Sequence, residues 1–238
     1  MLNTFRFRLI PLLITLALCT LGLSLGQWQT RRAMEKEAIA ASMKQRSEMA
    51  VLNRLELSAD PQQLVFRRVA LAGQFVSTWP LYLDNRPMNG VAGFYVLMPF
   101  KIEASGQYVL VVRGWQPRNP ANRTQIPLLK TPQGIVELDA IIRTGIDRVM
   151  QIGDSAPLEA GAFLQNIEVT EASRKMGLSM PDLVLYQVGR PVDDLKRDWV
   201  LPSSGSDKHR AYAFQWYALT LMAVIFFVVT GFRRGKQE

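Results

Sequence analysis

Cysteine and histidine are almost missing from this 238-residue chain, which has one of each, Cys19 and His209. A single cysteine excludes an intramolecular disulfide, and thiolate metal centres need several. With one imidazole, zinc would have to be held mainly by carboxylates, which is not how protein zinc sites are built. Leu18 precedes Cys19 where a lipidation site would carry a small residue, so Cys19 reads as a small apolar filler. Also absent are the G-x-S-x-G elbow, the P-loop, G-x-G-x-x-G, H-E-x-x-H and C-x-x-C. A Ser-His-Asp triad would have to recruit His209; Ser206 and Asp207 stand close by, but a Gly-Ser linker accounts for them. Lys175 and Lys208 would permit Ser-Lys catalysis, and nothing specifies it. The expectation is a protein that is not an enzyme. No run of five basic residues appears either, so the net charge of +8 does not point to nucleic acid.

Much of the basic excess flanks two apolar blocks, as Arg6, Arg8, Arg31, Arg32, Arg233, Arg234 and Lys236. Leu9 to Thr30 is 22 residues without a charge, and Ala211 to Phe232 is another 22. As helices, at about 1.5 Å per residue, each reaches across a bilayer core. The first run is too long for a signal-peptide core, and its end lacks a small-x-small cleavage site, so a retained anchor is expected. Only eight residues precede it, too few for a mitochondrial transit peptide, which favours a bacterial membrane. Positive charge on both short tails predicts cytoplasmic termini and a periplasmic middle. Membrane lipid is thus an expected partner, and nucleic acid is not. Gly22 and Gly26 form a small-xxx-small pair for close helix packing, with the second span as its natural partner.

The fold class expected is an integral membrane α+β protein, with two transmembrane helices flanking a β-rich antiparallel extracytoplasmic domain. In order, residues 1–8 form a cytoplasmic tail, 9–30 the first span, 31–52 a helical stalk without Gly or Pro, and 53–200 the periplasmic domain. A linker at 201–210, the second span at 211–232 and a cytoplasmic tail at 233–238 complete the chain. Strands are expected at Leu64–Val76, Trp79–Leu83, Gly93–Phe100, Tyr108–Val112, Gly134–Arg143, Phe163–Val169 and Leu183–Val188, with a helix at Thr170–Met176.

His209 stands where the second apolar block begins. On a helix Tyr212, Ala213, Trp216, Thr220 and Ala223 fall near its face, a stripe of aromatic and small residues. Such a stripe suits either a flat macrocycle or a neighbouring helix, and Tyr212, Trp216 and Tyr217 would also serve as an ordinary aromatic belt. Antiparallel spans bring Gln27-Trp28-Gln29 and Gln215-Trp216 to one depth beside His209, as functional groups or as Gln–Gln glue between helices.

Four segments together resemble a known family. Leu25-Gly26-Gln27-Trp28-Gln29-Thr30-Arg31 is similar to the L-G-x-W-Q-x-x-R signature of the surfeit locus protein 1 family, the cytochrome c oxidase assembly factors. Leu83-Asp84-Asn85-Arg86 with Gly93-Phe94-Tyr95-Val96-Leu97-Met98-Pro99 resembles its n-R…G-y-x-v-x-t-P segment. Val111-Val112-Arg113-Gly114-Trp115-Gln116-Pro117 resembles V-n-R-G-W-v-P, and His209 to Tyr217 resembles H-x-x-Y-A-x-Q-W-F. Val112 and Tyr217 depart from the pattern, and residues 118–185 match it weakly.

The resemblance implies an oxidase assembly factor that helps place haem a into the catalytic subunit of cytochrome c oxidase. That subunit is the implied partner, with the machinery that makes haem a as a further one. The resemblance also makes His209 a candidate axial ligand for transiently held haem a. Tyr212, Gln215, Trp216, Trp28 and Gln29 complete the candidate cofactor site. Arg31, Arg86, Gly93, Arg113, Gly114 and Trp115 are candidates for partner contact or domain integrity. The rival is a membrane-anchored chaperone of the oxidase that holds no haem.

Overall fold

The two uncharged runs are helical, and each belongs to a longer helix. A computed structural model describes residues 8–54, 61–122, 129–151, 153, 156–189, 193–199 and 205–233. The expected tails apart from Arg8 and Arg233, and linker residues 201–204, lie outside the described residues. The chain divides into two units: residues 1–42 with 200–238, and residues 43–199.

The helices of the first unit, α4 (Ser206–Arg233) and α1 (Leu9–Glu48, its residues from Met43 counted with the second unit), run antiparallel. Both are long and apolar enough to cross a membrane. Pro11 sits in the first turn of α1, where its missing N–H leaves no bond unmade. α1 runs unbroken from the apolar run through the expected stalk to Glu48. α4 starts at Ser206, so residues 206–210, expected as linker, form its first turn.

The less exposed positions of α1 include Thr15, Cys19, Gly22, Gly26, Gln29 and Ala33; those of α4 include Ser206, His209, Ala213, Trp216, Thr220 and Ala223. Both sets step by three and four, the spacing of a coiled-coil seam. The glycines make the close approach possible. A Cβ at Gly26 would enter the Tyr217 ring, and one at Gly22 would collide with the Thr220 side chain. Cys19 is a half-buried filler in that seam.

The second unit is β-rich. Its elements are α2 (Pro61–Leu64), β1 (Arg68–Phe75), β2 (Leu81–Leu83), β3 (Gly93–Ile102), β4 (Tyr108–Pro117), β5 (Val136–Arg143), β6 (Phe163–Leu164), α3 (Val169–Met176) and β7 (Val184–Gln187). β1 pairs with β5 and β3, β5 with β7, β7 with β4, and β4 with β3. Five strands therefore close into a barrel, and β2 and β6 extend the sheet from β3.

The domain is not wholly antiparallel as expected, because β4–β7 and β2–β6 are parallel. The long excursion from residue 118 to 183 returns β7 in the direction of β4. The expected first strand is also shorter. Residues 64–67 close a helical turn, with Phe66 at φ 68°, before β1 begins. Val169, expected to end a strand, opens α3 instead.

Val69, Leu71, Met98, Phe100, Val109, Val111, Leu138, Ala140 and Leu185 fill one core cluster inside the barrel. Leu110, Val112, Val184 and Tyr186 face outward, under Val169 and Ala172 of α3. Burial on both faces is why Val109–Val112 reads as an unbroken apolar run. A bulge interrupts the β3–β4 ladder. Val96 pairs with Gly114 and Leu97 with Val112, leaving Arg113 as the extra residue of β4.

Candidate functional site

His209 lies one turn inside α4, on the seam, where the backbone holds its own hydrogen bonds and leaves the ring free to find a partner. That partner is Gln29 of α1. His209 Nδ1 is 2.7 Å from Gln29 Oε1, and Gln29 is only 9% exposed. A carbonyl oxygen accepts, so Nδ1 carries the proton and donates. In a neutral ring Nε2 is then a bare lone pair. Among the described residues it has no hydrogen-bond partner, and it is not one of the atoms sealed from solvent. A lone pair at Nε2 with its sister nitrogen pinned by an acceptor is the usual state of a metal-ligating imidazole.

The two flanks of the helix pair differ at this level. At about 100° per residue, Thr30 and Glu37 of α1 share one flank with Tyr217 and Arg210 of α4. That flank is closed. Thr30 Oγ1 lies 3.3 Å from the Tyr217 hydroxyl. Arg210 grips Glu37 through Nε at 2.7 Å and Nη2 at 2.8 Å. Those bonds hold the Glu37 carboxyl below its ordinary range and push Arg210 up. The other flank carries Trp28 and Arg32 of α1 with Tyr212 and Gln215 of α4. Among the described residues no hydrogen bond joins the helices there. Trp28 is 56% and Tyr212 53% exposed, and Gln215 is exposed.

The expected cofactor residues therefore separate into three groups. His209 and Gln29 touch. Trp216 is half-buried in the seam two turns from His209, and its carbonyl accepts from Thr220 Oγ1 at 2.8 Å. Trp28, Tyr212 and Gln215 line the open flank. Of the α4 stripe, Ala213, Trp216, Thr220 and Ala223 face α1, so a helix occupies it in this structure. The expected Gln–Gln glue is replaced by the Gln29–His209 bond. Arg31 is exposed on the back of α1. Counting along L-G-x-W-Q-x-x-R puts the pattern's arginine at Arg32, which pairs with Glu35 at 2.8 Å.

The remaining candidates lie in the second unit, where they hold the barrel together. Arg113 is 1% exposed. Its Nη2 donates to Asp193 Oδ2 at 2.9 Å and to the Lys130 carbonyl at 3.0 Å, while Nη1 donates to Thr131 Oγ1 at 2.9 Å. Arg197 Nη2 donates to both oxygens of Asp193, at 2.7 and 2.8 Å. Burial lowers the Arg113 pKa, and Asp193 opposes the shift. Gly114 is bare because a Cβ there would stand 2.5 Å from that of Leu195 and 3.1 Å from the Lys196 carbonyl.

Trp115 exchanges backbone bonds with Lys196 at 2.7 and 2.8 Å, and its indole N–H donates to the Arg86 carbonyl at 2.6 Å. Arg86, 6% exposed, donates to the carbonyls of Asp84, Asn85, Asp147 and Gln165. Its own pKa is lowered by burial. Gly93 lies under the Trp115 ring. Arg86 and Gly93 also border a cleft of about 490 Å³ with Arg118 and Asn119.

Sequence reasoning read Tyr217 only as an aromatic-belt residue, and it missed Asp193, Arg197 and the Glu37–Arg210 pair. Only the last had a signal, as opposite charges just beyond two antiparallel apolar runs.

The sequence profile of the SURF1 family matches residues 15–221. The chain belongs to the SURF1 family. Among SURF1 relatives, a SURF1-like protein of Rickettsia felis is 25% identical over 225 residues, covering 91% of this chain and 95% of the relative. The rat Surfeit locus protein 1 is 29% identical over 219 residues, 82% of this chain and 67% of the relative. A shorter match is to the yeast Cytochrome oxidase assembly protein SHY1, 30% identical over 94 residues, 38% of this chain and 24% of that protein.

Proposed function

We propose that this chain is a non-enzymatic assembly factor of cytochrome c oxidase that holds haem a at His209 and passes it to the catalytic subunit. Family membership and the name of the yeast relative support the assembly role. The observation that carries the haem reading is the ring of His209, with Nδ1 tied to Gln29 and Nε2 left without a partner among the described residues. The chain has one histidine, so it can offer one imidazole, and the other axial position stays open for a partner's ligand. One-sided ligation suits cargo that must leave. With one flank closed by Thr30–Tyr217 and Glu37–Arg210, the cargo approaches from the flank of Trp28 and Tyr212, whose rings supply apolar area. α1 and α4 cross the bacterial inner membrane, with cytoplasmic termini and a periplasmic barrel domain.

The test is to purify the full-length chain from cells that make haem a and record its absorption spectrum. Wild type should carry a haem band, and His209→Ala should lose at least nine-tenths of it, at about the tenfold or greater loss expected for a lost ligand. Full retention by the variant rules out His209 as the ligand. A second reading has its own observation. The α4 stripe is filled by α1, which suits a chaperone that works only through protein contacts. Wild type without haem, and a deletion strain deficient in oxidase, would establish it.

A further inference from the structure

We propose that Gln29 is the positioning residue of His209, selecting which ring nitrogen is available to a ligand; this rests on the haem reading under Proposed function. Free neutral imidazole exchanges its proton between two nitrogens, and only the bare one can bind a metal. The Gln29 amide removes that choice. Its Oε1 stands 2.7 Å from Nδ1, and its side chain is held in the seam between Gly26 and Ala33, where Ala33 is 2% exposed. Being buried behind the ring, Gln29 does not itself contact a ligand that takes Nε2. It acts through His209, like the acceptors that orient metal-bound histidines elsewhere. Glu37 and Arg210 on one flank are committed to each other, and Arg32 on the other pairs with Glu35. Gln29 is therefore the ring's sole hydrogen-bond partner among the described residues.

The chain's single histidine makes the test direct, because ¹⁵N-histidine labelling reports one ring. Spectra of the full-length apo protein are recorded above the ordinary imidazole pKa of about 6.5. Wild type should show the Nδ1–H form. Gln29→Leu, an apolar change tolerable in an apolar seam, should shift the ring toward Nε2–H. Gln29→Glu keeps an acceptor in place and should retain Nδ1–H. Haem a titrated into the same samples should bind Gln29→Leu about 10–100-fold more weakly than wild type, with Gln29→Glu near wild type. An Nε2–H ring in the wild type overturns the inference without reference to haem. So does an unchanged tautomer in Gln29→Leu, or a changed tautomer with unchanged haem affinity. A wild type with the Nδ1–H ring that takes up no haem a upholds the tautomer assignment and overturns the haem reading instead.

Discussion

Asp193→Ala should unfold the barrel domain or bring it to the edge of unfolding, with the largest loss of any single substitution outside the apolar core. Among the described residues Asp193 is the one anion paired with both Arg113 and Arg197, and the three side chains are 1%, 4% and 7% exposed for Arg113, Arg197 and Asp193. Removing it strands two buried like charges. Breaking a buried pair costs about 3–5 kcal/mol, because the partner is left uncompensated. Here two partners are left, and the whole stability of a domain is about 5–15 kcal/mol. The melting temperature of the purified chain should fall by about 10 °C or more, given roughly 2–4 °C per kcal/mol at this size. Arg113→Met should cost less, since the Asp193–Arg197 pair survives and the longer apolar chain still covers Phe75, whose ring centroid lies 4.7 Å from the guanidinium. If Asp193→Ala melts within about 2 °C of wild type, the buried triad is not what holds residues 193–199 to β4.

That triad also marks a limit of reading the chain from its residues. The Arg-Gly-Trp segment was legible as a candidate for partner contact or domain integrity, and a charged residue inside an apolar run needs a partner. Nothing local names the partner, which lies 80 residues away. Nor does alternation of apolar and polar residues encode strand direction, so the parallel pairing of β7 with β4 and the closure of the barrel were hidden. The two apolar runs were legible as helices, since length and lack of charge suffice, although each helix extends beyond its uncharged run.

On α4 the stripe beginning at His209 was legible by its spacing, and what filled it was not. Gly22 and Gly26 resolve that ambiguity, since only α1 can come so close. Motif proximity groups Tyr212 and Gln215 with His209. A seam that steps by three and four runs through Ala213 and Trp216 and leaves both of them on the flank.

Gly93→Ala should be nearly as damaging as the loss of Asp193, although it adds one methyl group. A Cβ at residue 93 would enter the six-membered ring of Trp115 and stand 2.5 Å from the Gln116 carbonyl. Trp115 is 1% exposed and cannot yield toward solvent. Its indole N–H is anchored 2.6 Å from the Arg86 carbonyl, and its backbone exchanges two bonds with Lys196. Overpacking costs about 1–3 kcal/mol, and a stranded buried donor adds about 1–3 more. Because both penalties run through one ring, the cost should not add to that of removing the ring. In a double-mutant cycle, Gly93→Ala in a Trp115→Leu background should cost at least about 1 kcal/mol less than in wild type, measured by denaturant unfolding of the full chain. Additive costs would place the strain at the Gln116 carbonyl rather than at the indole. The same cycle separates domain integrity from partner contact. A pair whose coupling appears in stability alone, without the oxidase present, is a structural pair, and the reading of Gly93 and Trp115 as a partner surface would then end.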